Sequence, residues 1–302
     1  MSTPTLARRP TVSALALLAV LSLAGAACDR SIEFGGTGTD RVDRVEIPVD
    51  PPTPVDVGAT DFTIEWWMKG SAAQNSSGTV TCGNGVYGWI TGHTVVDRDR
   101  WPLSGADGRD FGVSVSSTGR LAFGVENASG QRRTLCASVS GGLLNGQWHH
   151  VAIQRTVSGT MEIWIDGVRR ASASGPPGDI SYPDNFPTAR STDPYLVIGA
   201  EKHDAGSAFP SFRGKIDGLR ISNVLRYTTN GSPPSTPFEP DAHTVGLYQF
   251  NTDTAPPPGG TATATDAATV PGAPTNGVVR ADSAGTWPRY TDDSPYLQVP
   301  GS

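Results

Sequence analysis

Four aspartates before and at the start of a predicted strand carry carboxylates that could bind a hard cation. They are Asp97, Asp99, Asp107 and Asp110. Calcium takes about six to eight oxygen ligands, often from loop aspartates and carbonyls. The alternative is that these are solvated turn residues that hydrogen-bond the local backbone. No dense run of acids of the EF-hand type strengthens the metal interpretation. Calcium is therefore a candidate cofactor, and the sequence indicates no other.

Large aromatic side chains in predicted loops are candidates for ligand binding. They are Tyr87, Trp89, Trp101, Tyr182 and Phe186. An aromatic face can stack on a sugar ring or anchor a protein partner. For each of them the alternative is burial at the end of the fold, because large apolar side chains are usually buried.

The sequence carries no recognisable catalytic constellation. His149 and His150 are adjacent in a predicted strand, so they point to opposite faces and cannot bind one ion together. The remaining histidines each lie alone in a predicted loop: His93, His203 and His243. No serine lies in a Gly-x-Ser-x-Gly turn. We therefore predict that the protein is not an enzyme.

A β-hairpin over residues 147–167 is the clearest element that could position these side chains. Its two strands alternate by parity, and Ser158-Gly159 supplies the turn. Further alternating segments predict strands at 41–49, 62–69, 110–116, 120–127, 134–139, 168–173, 195–199, 212–221 and 245–251. Residues 71–108 and 175–193 are predicted as irregular loops. With 36 glycines, 25 prolines and 17% charged residues, the composition favours short strands and tight turns.

The chain divides into five predicted regions. Residues 1–27 resemble a secretory signal peptide, with Arg8 and Arg9 before an apolar core. Residues 28–40 form a flexible tether, and residues 41–251 form one domain. Residues 252–276 are a Pro/Gly/Thr/Ala-rich excursion, and residues 277–302 return to the domain surface.

The odd number of cysteines, three, bears on whether Cys28 becomes the lipid-modified N-terminus of the mature chain. The segment ending at Cys28 resembles a bacterial lipoprotein signal, although conventional cleavage before Ala27 is the alternative. If Cys28 carries lipid, Cys82 and Cys136 remain as an even pair that can form a disulfide, with two buried thiols as the other interpretation. The protein would then be lipid-anchored on the bacterial cell envelope, or otherwise secreted, and would meet a membrane only through that lipid.

The charge of the chain argues against one class of partner. Removing Arg8 and Arg9 leaves 21 basic against 29 acidic residues, a net charge of −8. An acidic chain is a poor ligand for phosphate backbones, so we expect no nucleic-acid partner.

Several motifs together resemble a known family. In order they are Arg44-Val-Glu-Ile-Pro48, Phe62-Thr-Ile-Glu-Trp-Trp67, residues 110–123, Gly146-Gln-Trp-His-His-Val-Ala152 with Ile165-Asp-Gly167, Leu196-Val-Ile-Gly-Ala200 and residues 212–221. Their order is similar to that of laminin-G-like and pentraxin-like domains of the concanavalin A-type lectin/glucanase superfamily. The resemblance implies an all-β, two-sheet antiparallel jelly roll with ligand and calcium sites on its loops. In this comparison Asp110 occupies the position of the family's metal aspartate.

The resemblance also bears on function. Glucanases of this superfamily carry Glu-x-Asp-x-Glu on one strand, which this sequence lacks. Glu162 and Asp166 share one face of the hairpin, but Asp166 matches the family's turn aspartate. We therefore expect a non-catalytic module that binds a glycan or a cell-surface protein, with calcium as a candidate helper. The alternatives are a carbohydrate-active enzyme, hydrolase or lyase, and a structural envelope or matrix component.

Overall fold

The computed structural model describes residue 1 and residues 29–36, 43–101, 108–188, 190–251 and 253–297. The predicted leader, Cys28 and Asp107 lie outside these ranges. None of the helices in the described ranges has the length and apolar character needed to cross a membrane.

The described residues form strands and one short helical turn. The first nine strands are β1 (Ser31–Phe34), β2 (Arg44–Pro48), β3 (Phe62–Gly70), β4 (Gly83–Asn84), β5 (His93–Arg98), β6 (Asp110–Val115), β7 (Leu121–Glu126), β8 (Arg132–Ala137) and β9 (His149–Arg155). The others are β10 (Thr160–Ile165), β11 (Val168–Ser174), β12 (Tyr195–Ile198), β13 (Gly214–Ser222), β14 (Thr244–Tyr248), β15 (Thr261–Ala264), β16 (Gly277–Arg280) and β17 (Arg289–Thr291). A turn of 3-10 helix covers Pro295–Leu297.

Two antiparallel sheets form a sandwich, which confirms the predicted fold class. The first sheet has the order β11-β10-β9-β3-β13-β1-β17, with β14 also paired to β13. The second has the order β15-β16-β2-β12-β5-β6-β7-β8-β4. One large apolar cluster lies between them and takes side chains from both sheets.

The predicted alternation places side chains on the two faces of each sheet. In β3, Phe62, Ile64, Trp66 and Met68 are all completely buried in the core between the sheets. Burying each such side chain stabilises the fold by about 1.5–3 kcal/mol. Strands β9 and β10 form the predicted hairpin, with Ile163 opposite Ile153.

The predicted tether is wrong for Ser31–Phe34. These residues form β1, which pairs with β13 on one side and β17 on the other. Ile32 and Phe34 are buried because alternate residues of this strand face the core. The glycine-rich stretch after Phe34 suggested flexibility, but the four residues before it contain enough apolar surface to complete the sheet.

Three further strands lie where the sequence predicts irregular chain, and the shortest is the two-residue β4, which pairs with β8. His93–Arg98 forms β5, which lies between β12 and β6 in the second sheet. Thr261–Ala264 forms β15 within the predicted excursion, and it pairs with β16. The register shift between Thr94 and Val96 in β5 breaks the strict alternation by which a strand is recognised.

The register of the second sheet determines which side chains project from its outer face. Phe111 and Val113 of β6 point into the core, so Asp110 and Gly112 point outward. Asp97 pairs with Gly112, and Gly112 pairs with Gly124. Asp110 pairs with Glu126 in the same way. A patch of acids and glycines therefore forms on this outer face.

Candidate functional site

A cavity of about 370 Å³ lies over that patch. Residues 80–92, here called the aromatic loop, provide Tyr87 and Trp89 on one side. Residues 199–211, here called the acidic loop, provide Glu201 and His203 on the other. Trp101 lies where the chain leaves β5 and also lines the cavity. Three separate regions of the sequence thus meet over one sheet, and we call this cavity the pocket.

Trp89 is a packing residue, so its prediction as an exposed loop aromatic is wrong. It is only 1% exposed and its indole lies against the sheet. A Cβ atom at Gly112 would lie 2.2 Å from this ring, and one at Gly124 would lie 1.8 Å from it. The indole can lie on the sheet because these two positions have no side chain. Ser114 Oγ also donates to the Trp89 carbonyl at 2.5 Å.

The aromatic loop is fixed to β8 by a disulfide, as predicted. Cys82 and Cys136 are joined with their Cα atoms 5.8 Å apart. The Thr134 hydroxyl donates to the Val86 carbonyl at 2.9 Å and accepts from the Gly88 amide at 3.0 Å. The loop is therefore held to the sheet by both a covalent bond and hydrogen bonds.

Tyr87 is half-buried and contacts both the sheet and a cation. Its hydroxyl donates to Asp110 Oδ2 at 3.0 Å, and its ring meets Trp89 edge-on at 5.7 Å. The Arg132 guanidinium lies 5.5 Å from its ring centre. Tyr87 thus lines the pocket, and its role as a ligand contact stays a prediction.

Among the aromatic residues predicted to bind a ligand, Trp101 is the exposed one, with 40% of its surface accessible to solvent. Its amide donates to Asp193 Oδ1 at 2.8 Å, and its carbonyl accepts from the Thr188 hydroxyl at 3.1 Å. The Arg190 guanidinium lies 4.5 Å from its ring centre, and His203 meets its edge. An exposed indole is therefore held in one place at the edge of the pocket.

The other two predicted aromatics support the site from beneath. Tyr182 is 2% exposed, so its prediction as a ligand contact is wrong, and its hydroxyl donates to Asp193 Oδ2 at 3.0 Å. Phe186 is half-buried, packs against Tyr182 and lies 4.3 Å from the Arg100 guanidinium. Both residues close the end of the sandwich, which is the alternative that the sequence left open.

Asp97 organises the backbone of the pocket. It is completely buried, and its two oxygens accept the amides of Asp99 and Lys202, each at 3.0 Å. Burial raises its pKa well above the usual range, and the nearby Asp99 and Glu201 carboxylates raise it further. Asp97 therefore joins the end of β5 to the acidic loop.

Asp110 is buried in the floor beside Tyr87 and Arg100. Its Oδ1 lies 3.6 Å from Arg100 Nε. Burial and the charge of Asp99 raise its pKa to about 7, against the opposing effect of Arg98 and Arg100. Part of the Asp110 population is therefore a neutral acid near neutral pH.

Asp99, Glu201 and His203 bring one potential ligand atom each to within 4.8 Å of one another. His203 Nδ1 lies 3.0 Å from Asp99 Oδ1, while His203 Nε2 lies 2.9 Å from Asp193 Oδ1. Burial disfavours the imidazolium, but the hydrogen bond to Asp193 and the charge of the adjacent Asp99 carboxylate raise the His203 pKa to about 9. The Glu201 oxygens accept the amides of His203 and Asp204.

Sequence reasoning missed Glu201 and treated His203 as an isolated loop histidine. The only available signal is the Glu-x-His spacing directly after β12. Pairing of β12 with β5 brings this segment beside Asp99, about a hundred residues earlier in the chain. That juxtaposition depends on sheet order, which local patterns do not encode.

The described residues do not fit a calcium ion. Neither Asp97 nor Asp110 belongs to the group with converging ligand atoms, and Asp110 is directed to Tyr87 and Arg100. Of the predicted ligands within the described ranges, Asp97, Asp99 and Asp110, Asp99 alone belongs to the group with converging ligand atoms. That group includes an imidazole nitrogen, whereas calcium takes oxygen ligands.

The two acids of the hairpin, Glu162 and Asp166, are both engaged in local hydrogen bonds. Asp166 has a positive φ of 53° in the turn before Gly167, and its carboxylate accepts from His149 Nδ1 and the His150 amide. Glu162 accepts from Gln154, Trp164 and Arg169. Asp166 thus has the predicted turn role.

Two antiparallel sheets with this strand pattern and loop-built pocket define a jelly roll of the concanavalin A type. The chain belongs to the concanavalin A-like lectin/glucanases superfamily, because residues 43–228 match the model of its Laminin_G_3 family. No curated protein matches the chain.

Three solved structures are similar to this chain at low sequence identity. A heptameric pentraxin from Limulus polyphemus is 16% identical with a TM-score of 0.41, over 66% of this chain and 78% of that one. Mouse laminin α1 domains LG4-5 are 19% identical with a TM-score of 0.39, over 65% and 41%. A putative carbohydrate-binding protein from Bacteroides ovatus is 15% identical with a TM-score of 0.48, over 87% and 59%.

Proposed function

We propose that the protein is a non-catalytic glycan-binding module and that the pocket is its binding site. The observation that carries the proposal is the exposed indole of Trp101, fixed beside a cavity whose walls hold Tyr87 and several carboxylates. An indole face binds the apolar C–H face of a sugar ring, while carboxylates accept hydrogen bonds from its hydroxyls. Membership of a superfamily that includes lectins supports this choice.

The size of the pocket favours recognition of a chain end. A cavity of about 370 Å³ is at the lower end of the ~300–1,000 Å³ typical of small-molecule sites. One or two sugar rings fit that volume, whereas a long polysaccharide would need an open groove. We therefore expect terminal sugars of an oligosaccharide to be the ligand.

The location of the protein is a further part of the proposal. The leader and Cys28 support export and anchoring by lipid on the bacterial envelope, with secretion as the alternative. Metabolic labelling with a palmitate analogue tests this directly. Wild-type protein should carry the label, and a Cys28→Ser variant should not.

A glycan array probed with purified protein tests the binding proposal. Wild-type protein should bind a limited set of terminal sugars, and Trp101→Ala should lose those signals. Parallel arrays with calcium and with a calcium chelator test calcium assistance, and the donor set described above predicts equal signals. Absence of glycan binding in both conditions would reject the proposal. Binding to a surface protein alone, or self-assembly at rising concentration, would favour the adhesion or structural alternative.

A hydrolase is the second candidate, and one cross-strand pair favours it. Asp110 and Glu126 are directly paired across β6 and β7 and both line the pocket. Such pairs have Cβ atoms about 4.5–5.5 Å apart, which is compatible with the roughly 5–5.5 Å carboxyl separation of retaining glycosidases. Asp110 has the raised pKa of about 7 that a general acid needs.

Glu126, however, forms an ion pair with Arg132 at 2.9 Å, which weakens it as a nucleophile. This pairing makes the binding module the better supported function. Digestion of polysaccharides and aryl glycosides decides between the two candidates. Turnover that disappears in Asp110→Asn would establish the hydrolase, and no turnover with intact glycan binding would reject it.

A further inference from the structure

We propose that Asp99, Glu201 and His203 form a binding site for a divalent transition-metal ion of the zinc type. The site shares Asp99 with the calcium site that the sequence predicts, but its other two residues differ and one of them supplies a nitrogen donor. The proposal goes beyond glycan binding and does not depend on it.

The first argument is the state of the His203 imidazole. Its side chain is 1% exposed, and Nε2 lies 2.9 Å from Asp193 Oδ1. A carboxylate of this kind only accepts, so Nε2 keeps a proton, and an incoming cation that displaces the proton from Nδ1 would meet the Nδ1 lone pair facing Asp99. A carboxylate that holds the remote nitrogen of a histidine is the usual second shell of a metal-bound imidazole.

The second argument is that Nδ1 has no hydrogen bond. It is buried and unsatisfied, and the same is true of Asp99 Oδ1, although the two atoms are 3.0 Å apart. His203 Nδ1 and Asp99 Oδ1 are thus in contact, but their geometry is not that of a hydrogen bond. Ligands about 2.0–2.2 Å from one ion stand roughly 3.0–3.5 Å apart at right to tetrahedral angles. The observed separation is what one shared ion would produce.

The third argument is the local charge. Asp97 and Asp193 are buried close to Asp99 and Glu201, so four acidic side chains meet beside this end of the pocket, and their proximity raises the pKa of Asp97. Lys202 is the nearby ammonium, and its Nζ donates to the Asp193 and Tyr195 carbonyls. A divalent cation would reduce the repulsion among the carboxylates.

The donor set points to the class of metal. Imidazole and carboxylate ligands suit zinc and neighbouring first-row ions, whereas magnesium and calcium prefer oxygen alone. All three ligand residues line the pocket, so the remaining coordination positions would face its interior. An imidazolium held between Asp99 and Asp193 is the competing explanation of the geometry, and it predicts no metal binding.

Calorimetric titration of protein without a histidine tag, first stripped with a chelator, tests the site. Zinc chloride should bind at one ion per chain, while calcium and magnesium chlorides should not compete. His203→Gln and Asp99→Asn should each weaken zinc binding at least a hundredfold. The control variants His243→Gln and Asp292→Asn, which change an exposed histidine and an exposed acid remote from the pocket, should leave it unchanged.

Two further measurements do not depend on variants that could misfold. Cobalt(II) bound to the wild-type protein should give visible absorption bands of a low-symmetry nitrogen and oxygen site. Asp193→Asn keeps all three ligands and should weaken zinc binding by about 10–100-fold, since it removes the carboxylate that orients His203. Absence of saturable zinc binding, or equal affinity in His203→Gln and His243→Gln, would overturn the proposal. Loss of glycan binding with zinc binding intact would count only against the proposed function.

Discussion

The backbone amide of Trp101 and the Nε2 atom of His203 both bond to a single oxygen, Oδ1 of Asp193. Asp193 is completely buried, so the backbone of the exposed Trp101 is hydrogen-bonded to a side chain inside the protein. Preorganisation of this kind reduces the entropy lost when a ligand binds. The backbone that carries the Trp101 indole is therefore anchored to a buried side chain before any ligand binds.

Replacement of Trp101 is the first test of the pocket. Trp101→Ala should weaken binding of the preferred glycan at least tenfold, or about 1.4 kcal/mol, because central aromatic contacts carry much of the affinity in such sites. Isothermal titration with a glycan found on the array measures the change. Val157→Ala, also at a 40% exposed apolar residue, is the matched control and should leave affinity unchanged. An unchanged affinity in Trp101→Ala would place the ligand elsewhere.

The glycines under Trp89 give a second prediction. Gly124→Ala puts a methyl group into the indole, so the free energy of unfolding should fall by about 1–3 kcal/mol, the usual range for overpacking. Urea denaturation measures it. Gly231→Ala is the control, since a Cβ there meets no atom within 4 Å. Equal stability of the two variants would mean that Trp89 does not lie on the sheet.

These residues also show where sequence reasoning succeeds and fails. Alternation in β3, β9 and β10 predicts their faces correctly, because alternate apolar residues of each strand pack into the core between the sheets and the period is two. Trp89 and Tyr182 lie in loops, and their burial depends on glycines and acids that are remote in sequence. His203 acquires its neighbours only through the pairing of β12 with β5. Local patterns predict the sandwich, while the pocket depends on strand order and loop docking.

Loss of the disulfide is the third prediction. The bond joins residues 54 positions apart, for which chain entropy gives a stabilisation of about 4 kcal/mol. Cys82→Ala/Cys136→Ala should therefore unfold at lower denaturant concentration and bind glycan more weakly, because the aromatic loop loses its covalent attachment. Reduction of the wild-type protein should reproduce both effects. Full glycan affinity in the reduced protein would show that hydrogen bonds alone hold this loop.

The fourth prediction concerns pH and the buried Asp217. Burial, together with the charge of Asp29, raises its pKa from 3.8 to about 8 in the folded protein. The folded state thus keeps a proton that the unfolded state releases above pH 4. Stability should fall as pH rises from about 4 to 8, at up to about 1.4 kcal/mol per unit.

Asp217→Asn removes this titration while preserving the shape of the side chain. Its stability advantage over the wild type should be small at pH 4 and largest near pH 8. Denaturant unfolding of both proteins at pH 4, 6 and 8 measures the difference. A difference that stays constant with pH would mean that Asp217 is ionised in the folded protein.

The pairing of β1 with β17 determines where a lipid or another domain would be attached relative to the pocket. Both strands belong to the first sheet, so any chain before Ser31 and any chain after Thr291 leave from neighbouring positions there. The pocket lies on the outer face of the second sheet, with the whole sandwich in between. A lipid or a fused domain at either end would therefore hold the pocket away from the surface that carries the protein.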